Sequence, residues 1–150
     1  MKKVIFLIVL IMLMSVFTAK SQTAIPPTIG DGTSGNPYQI ATLNNLYWIS
    51  QNTAEWNKYY IQTVDIDAWA TIGWDYGKGF TPIGNNTTKF TGGYNGAGHT
   101  IGSLYIERPE TNYIGLFGYT NGSKIDSLGL TNVNIIGNNY IGGLVGYNYY

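Results

Sequence analysis

Cysteine is absent from this 150-residue chain, and histidine and arginine each occur once, as His99 and Arg108. The first absence excludes a disulfide framework and thiol-based zinc or redox chemistry. A lone histidine leaves little for nucleophilic or metal catalysis, and neither His-Glu-x-x-His nor Gly-x-Ser-x-Gly occurs. Charge is scarce as well, at 11% of residues. The formal net charge is zero, but Lys2, Lys3 and Lys20 fall in the leading segment; without them five basic residues stand against eight acidic ones, a net of −3. Nothing in that balance attracts nucleic acid, which needs clustered Lys and Arg. Helical periodicity is also rare. What the chain has in quantity is glycine (20) and tyrosine (13), within a 44% hydrophobic total that is enough to build a core. This is the composition of a β-rich extracellular protein.

Residues 1–21 read as a secretory signal peptide. Lys2-Lys3 is the basic n-region, Val4 to Phe17 is apolar apart from Ser15, and Ala19-Lys20-Ser21 supplies the small-x-small cleavage pattern, placing Gln22 first in the mature chain. The apolar run is short for a membrane span, which needs about 20 helical residues. The expectation is a secreted or cell-surface protein with no stable membrane span after cleavage.

Residues 22–36 are rich in Pro, Gly and Ser and read as a linker. Pro37 to Ile40 is a short strand. Thr42 is a good N-cap for a helix with apolar positions Leu43, Leu46, Tyr47 and Ile49, ending near Asn52. Tyr59 to Asp67 reads as one alternating strand, and Ala68 to Phe80 as a Trp- and Gly-rich projecting loop. Residues 37–89 thus form an N-terminal cap and first rungs, with residues 90–150 as repeats.

Two internal echoes support that division. Gly115-Leu116-Phe117-Gly118-Tyr119 returns as Gly143-Leu144-Val145-Gly146-Tyr147, and Ile101-Gly102-Ser103-Leu104 returns, at a slightly shorter offset, as Ile125-Asp126-Ser127-Leu128. Both offsets fall among the periods of stacked repeats, roughly 20–50 residues. Short apolar pieces separated by Gly and Asn cannot bury their own apolar sides; stacking equivalent strands ~4.8 Å apart would. The fold expected is all-β, a right-handed parallel β-helix (solenoid) with one short N-terminal capping helix. Such a stack ending at Tyr150 would expose an uncapped edge, so a C-terminally truncated piece of a longer protein is also expected.

The Gly-Leu-x-Gly segments resemble the GLUG motif, a repeat of bacterial surface proteins, and the block from Gly35 through Val64-Asp65-Ile66-Asp67 to Ile101 resembles the region that often precedes such repeats. The resemblance covers nearly all of the chain after Ser21, although only two motif copies are present. It implies a parallel β-helix in an exported bacterial protein with adhesin-like or glycan-related roles.

Candidates for chemistry are few. Asp65 and Asp67 share one strand face and have Asp75 nearby in sequence, an arrangement that fits calcium or paired carboxylates less well than hydrogen bonding at a corner. His99 reads as a corner residue, and Arg108 as a surface charge paired with Glu107 or Glu110. No catalytic residue, cofactor or metal ligand is assigned. Aromatic residues are the better candidates: Trp69, Trp74 and Tyr76 of the projecting loop could stack on sugar rings or anchor a protein, whereas Tyr119 and Tyr147 are equivalent repeat positions suited to structural stacking. The functional expectation is a non-catalytic surface segment for adhesion or display, meeting a glycan or protein surface. The alternatives are an accessory region of a larger secreted glycan- or protein-degrading enzyme, or a carbohydrate-binding module.

Overall fold

A computed structural model describes residues 22–150. The expected signal peptide, Met1 to Ser21, lies outside the described residues. In chain order the elements are β1 (Tyr38–Ile40), α1 (Leu43–Gln51), β2 (Tyr59–Gln62), β3 (Ile66–Asp67), two 3-10 turns (Trp69–Gly73 and Asp75–Gly77), β4 (Gly93–Asn95), β5 (Thr100–Gly102), β6 (Tyr105–Glu107), β7 (Phe117–Asn121), β8 (Lys124–Asp126), β9 (Gly129–Thr131), β10 (Asn134–Ile136) and β11 (Val145–Tyr149). A further 3-10 turn, Thr53–Glu55, follows the helix.

These strands form four small sheets, ordered β1-β2-β4-β8, β3-β5-β9, β10-β6 and β11-β7, and every strand pair is parallel. This corrects the expected right-handed parallel β-helix: the described residues make short parallel strands in four small sheets with one helix, and no solenoid is identified. The register shows why regular rungs fail. In the largest sheet Tyr38 pairs with Tyr60, Tyr60 with Tyr94 and Tyr94 with Ile125, so the first pass of the chain is much shorter than the second. A regular solenoid spends a similar length of chain on each turn. Here α1 and the two 3-10 turns are inserted into some passes of the chain and not others.

The Gly-Leu-x-Gly echo is a real register, since Phe117 lies beside Val145 and Tyr119 beside Tyr147. The Ile-x-Ser-Leu echo is not. Ile101 pairs with Leu130 rather than with Ile125. The shared sequence records one kind of corner used at two different places. Ser103 and Ser127 both have positive φ, 58° and 53°, and each is followed by an inward leucine, Leu104 in the core and Leu128 packed against it.

Local chemistry explains the remaining element boundaries. Thr42 caps α1 by accepting the Asn45 backbone N–H at 3.1 Å, and Leu46 and Ile49 on its inner face are fully buried. Burying each stabilises the fold by roughly 1.5–3 kcal/mol. Trp56 donates its indole N–H to the Ile49 carbonyl at 2.7 Å, satisfying one carbonyl in the last turn. The single strand expected over Tyr59 to Asp67 is instead broken into β2 and β3. Gln62 bends it there: its buried amide donates to the Val64 carbonyl (2.8 Å) and the Thr100 carbonyl (2.9 Å), and accepts the Tyr94 hydroxyl (3.0 Å). A second break falls at Ser103, whose positive φ of 58° separates β5 from β6.

The core runs along the parallel stack through Tyr60, Phe90, Tyr94 and Phe117, with ring centroids 4.9 to 6.4 Å apart. Around them Ile40, Ile83, Ile101, Leu104, Ile106, Ile114 and Leu116 are wholly buried. Residues in and between the later strands, including Leu128, Leu130, Val133, Ile135 and Val145, pack against this core but remain partly exposed.

Candidate functional site

The expected aromatic loop does not form one surface. Trp69 is 57% exposed and Tyr76 fully so, but Trp74 is 5% exposed and belongs to the core. Its ring lies 4.9 Å from Tyr47 and is stacked on Phe80 at 6.4 Å, where it anchors the segment that was expected to project. The Trp74 indole N–H is buried with no acceptor among the described residues.

The three aspartates are separate. Asp65 accepts the Thr100 backbone N–H at 2.8 Å and has His99 Nδ1 at 3.4 Å, a contact that no sequence motif signals. The Thr100 N–H, and then His99, hold the Asp65 carboxyl below the usual carboxylate range. Asp67 accepts the Trp69 N–H at 2.9 Å. Asp75 pairs with Arg108 at 2.9 Å, so the expected partners of that arginine, Glu107 and Glu110, are not the ones it takes. Glu107 accepts the Tyr105 hydroxyl instead. Among the described residues no three His, Asp or Glu side chains gather where they could hold a metal ion.

The structure does assemble a group of four tyrosines. Tyr113 and Tyr140 lie ring on ring, with centroids 4.9 Å apart and planes 4° from parallel. Tyr119 is 5.0 Å from Tyr113, and Tyr147 stands edge-on to Tyr119 (4.9 Å), Tyr140 (5.1 Å) and Tyr113 (5.8 Å). Lys89 places its ammonium 5.0 Å from the Tyr119 ring centroid and donates to the Asn86 carbonyl at 2.6 Å. Tyr140 is 51% exposed, and the other three rings are half-buried. Desolvation, followed by the neighbouring phenols, pushes the Tyr119 hydroxyl above its ordinary pKa.

Two copies of one local device build this face. Tyr113 and Tyr140 both take left-handed backbone conformations, φ 62° and 58°. The final glycine of each Gly-Leu-x-Gly run packs against that turn. A Cβ on Gly118 would sit 2.5 Å from the Tyr113 carbonyl oxygen, and one on Gly146 would sit 2.7 Å from that of Tyr140. Bare backbone at these two positions brings the strand close enough for the next tyrosine to reach the ring at the turn. Asn139 then ties the two copies together, donating its amide to Asn112 Oδ1 at 3.1 Å. In the sequence Tyr119 and Tyr147 stand out only as equivalent positions suited to structural stacking, and Tyr113 and Tyr140 do not stand out. The signal was available: Asn112-Tyr113-Ile114-Gly115 returns as Asn139-Tyr140-Ile141-Gly142, at an offset one position short of the Gly-Leu-x-Gly offset because Gly143 is inserted.

Beside the tyrosines lies an open depression of about 570 Å³ between the turns at residues 85–88 and 110–113. Asn85 Oδ1 fixes the first turn by accepting the N–H groups of Thr87 and Thr88, each at 2.9 Å. Asn112 Oδ1 joins the second turn to Asn139. A smaller cleft of about 270 Å³ lies elsewhere, beside Tyr59, Tyr94 and the Lys124–Asp126 pair. Among the described residues no helix is long and apolar enough to cross a membrane.

No protein-family profile matches the chain, and no solved structure matches it. Over 122 residues it is 43% identical to Halomucin of Haloquadratum walsbyi, an alignment covering 78% of this chain and 1% of that protein. Over 90 residues it is 39% identical to a protein of Evansella cellulosilytica provisionally named a Gly-rich membrane protein, covering 59% of this chain and 10% of that one. The chain therefore corresponds to a small fraction of the length of either relative.

Proposed function

We propose that this chain is a non-catalytic segment of a secreted or cell-surface protein that serves adhesion or display. The observation that carries the reading is the four-tyrosine face, held in place by the two Gly-Leu-x-Gly runs and partly open to solvent. Tyrosine rings offer a large amphipathic contact area with few rotatable bonds, which suits recognition of a partner surface. The aspartates are otherwise engaged: Asp65 and Asp67 hold backbone N–H groups, and Asp75 holds Arg108. Likeness to segments of Halomucin and of the Gly-rich membrane protein supports a surface or membrane-associated setting. Membership of the GLUG-motif repeats belongs to the same proposal. The tyrosine face, rather than Trp69, Trp74 and Tyr76, takes the contact role.

Two measurements test this. Protease added to intact cells of the source organism should remove the protein, whereas protection until lysis would end the surface reading. Beads coated with the full-length chain should adhere to cells or matrix, and Tyr140→Ala should reduce that adhesion severalfold. Turnover of a peptide or glycan by the purified chain would overturn the non-catalytic reading.

A further inference from the structure

Resting on that adhesion reading, we propose that the depression between the turns at residues 85–88 and 110–113 binds an uncharged oligosaccharide. Its lining combines neutral amides and hydroxyls with one aromatic ring and one carboxylate. Asn86, Thr88 and Thr111 make no side-chain hydrogen bond among the described residues, so their donors and acceptors face the depression uncommitted. An amide offers both donor and acceptor sites, and a hydroxyl can act as either, which matches the mixed hydrogen bonding of sugar hydroxyls. Tyr113, partly exposed and held by Tyr140 and Tyr119, adds an aromatic edge against which the C–H groups of a pyranose can pack.

Charge selects against other ligands. Among the described residues Glu110 is the one ionisable carboxylate in the lining, and no lysine or arginine lines the depression. A phosphate, sulfate or uronate would therefore meet repulsion without a counter-charge. Lys89, the nearby cation, is occupied by the Asn86 carbonyl and the Tyr119 ring. A peptide would want apolar pockets or a free strand edge, and the walls here are turns lined with polar side chains. The volume of about 570 Å³ lies within the ordinary range for ligand sites, roughly 300–1,000 Å³. Both walls are fixed before a ligand arrives, one by Asn85 and the other by the Asn112–Asn139 link, which lowers the entropy lost on binding.

The test is an array of immobilised oligosaccharides, neutral (gluco-, manno-, galacto- and chito-oligomers) and uronic-acid-containing, probed with the full-length chain. The strongest neutral binder is then titrated calorimetrically against Asn86→Ala, Thr111→Val and Trp69→Ala. Asn86→Ala and Thr111→Val should each weaken binding about tenfold or more with the melting temperature unchanged, and Trp69→Ala should leave it alone. Binding confined to acidic oligosaccharides, equal binding by the depression variants, or no binding to the array would each overturn the inference. Bead adhesion measured in parallel separates the two proposals. Adhesion that survives without glycan binding removes the depression and leaves the adhesion reading standing, whereas loss of both removes the adhesion reading too.

Discussion

Arg108 reaches Asp75 across 33 residues of sequence, its Nη2 donating to Asp75 Oδ2 at 2.9 Å. The same guanidinium also donates to the carbonyls of Gly79 and Phe80 and to the Thr81 hydroxyl, so one side chain fastens the 3-10 segment to the turn that follows β6. Arg108→Ala should cost about 1.5–3 kcal/mol, the range for hydrogen bonds to a charged group, with the ion pair itself discounted because Asp75 is partly exposed. Arg108→Lys should recover less than half of the loss, since an ammonium cannot reproduce the planar fork. Urea denaturation of the three proteins measures this; equal stability of Arg108→Ala and wild type would dismiss the fastening role.

Trp74 gives a paired prediction. Trp74→Ala should destabilise by about 3–5 kcal/mol through the cavity it leaves against Tyr47 and Phe80. Trp74→Phe should cost less than about 1.5 kcal/mol, because the indole N–H it deletes has no acceptor among the described residues. Thermal melts resolve the two cases, and a Phe variant as unstable as the Ala variant would show that the N–H is satisfied after all.

The last glycine of each repeated motif is packed against backbone, whereas Gly35 has open space beside it. Gly118→Ala and Gly146→Ala should each cost roughly 1–3 kcal/mol or more, since the new Cβ meets backbone atoms. Gly35→Ala meets nothing within 4 Å and should be neutral or slightly stabilising. Loss of the near-ultraviolet circular dichroism signal of the tyrosines in the first two, but not the third, would link these glycines to the aromatic face.

Asp65 predicts a pH dependence. Its carboxyl titrates below the ordinary value of 3.8 in the fold, so the unfolded chain takes up its proton first as the solution is acidified. The stability this group contributes is therefore complete above the unfolded value and is lost as pH falls through the lower folded one. Asp65→Asn keeps an oxygen that can accept the Thr100 N–H but does not titrate. It should flatten the fall in stability below about pH 4 while changing little at neutral pH. An unaltered acid slope in Asp65→Asn would remove Asp65 from the account.

Some of this organisation can be read directly from residue order. Thr42 before an apolar helical period marks α1, and the Gly-Leu-x-Gly echo marks the pairing of Phe117 with Val145. Both are local signals whose physics acts within a few residues. The break at Ser103 was hidden because serine has no particular preference for φ near 58°; the tight corner imposes it. The segment around Trp74 has neither helical nor strand period, so nothing nearby tells its buried indole from the exposed one of Trp69. Unequal passes defeated the solenoid expectation, because the two echoes, similar in offset, both lie beyond the inserted helix. The contact between Tyr113 and Tyr140 depended on recognising a repeat offset by one inserted glycine.

The register has a consequence for how the chain acquires structure. Partners within the described sheets are never far apart in sequence, the pair Tyr38 and Tyr60 being among the nearest and Ile66 and Ile101 among the most distant. Loop-closure entropy grows as the logarithm of length, so across that range the cost differs by only about 0.4 kcal/mol from one pass to the next. Most passes dock on one already formed, and no pairing waits for a remote segment to be made. Order can therefore advance from the amino end at the pace at which the polypeptide becomes available, with each new strand finding its template in place.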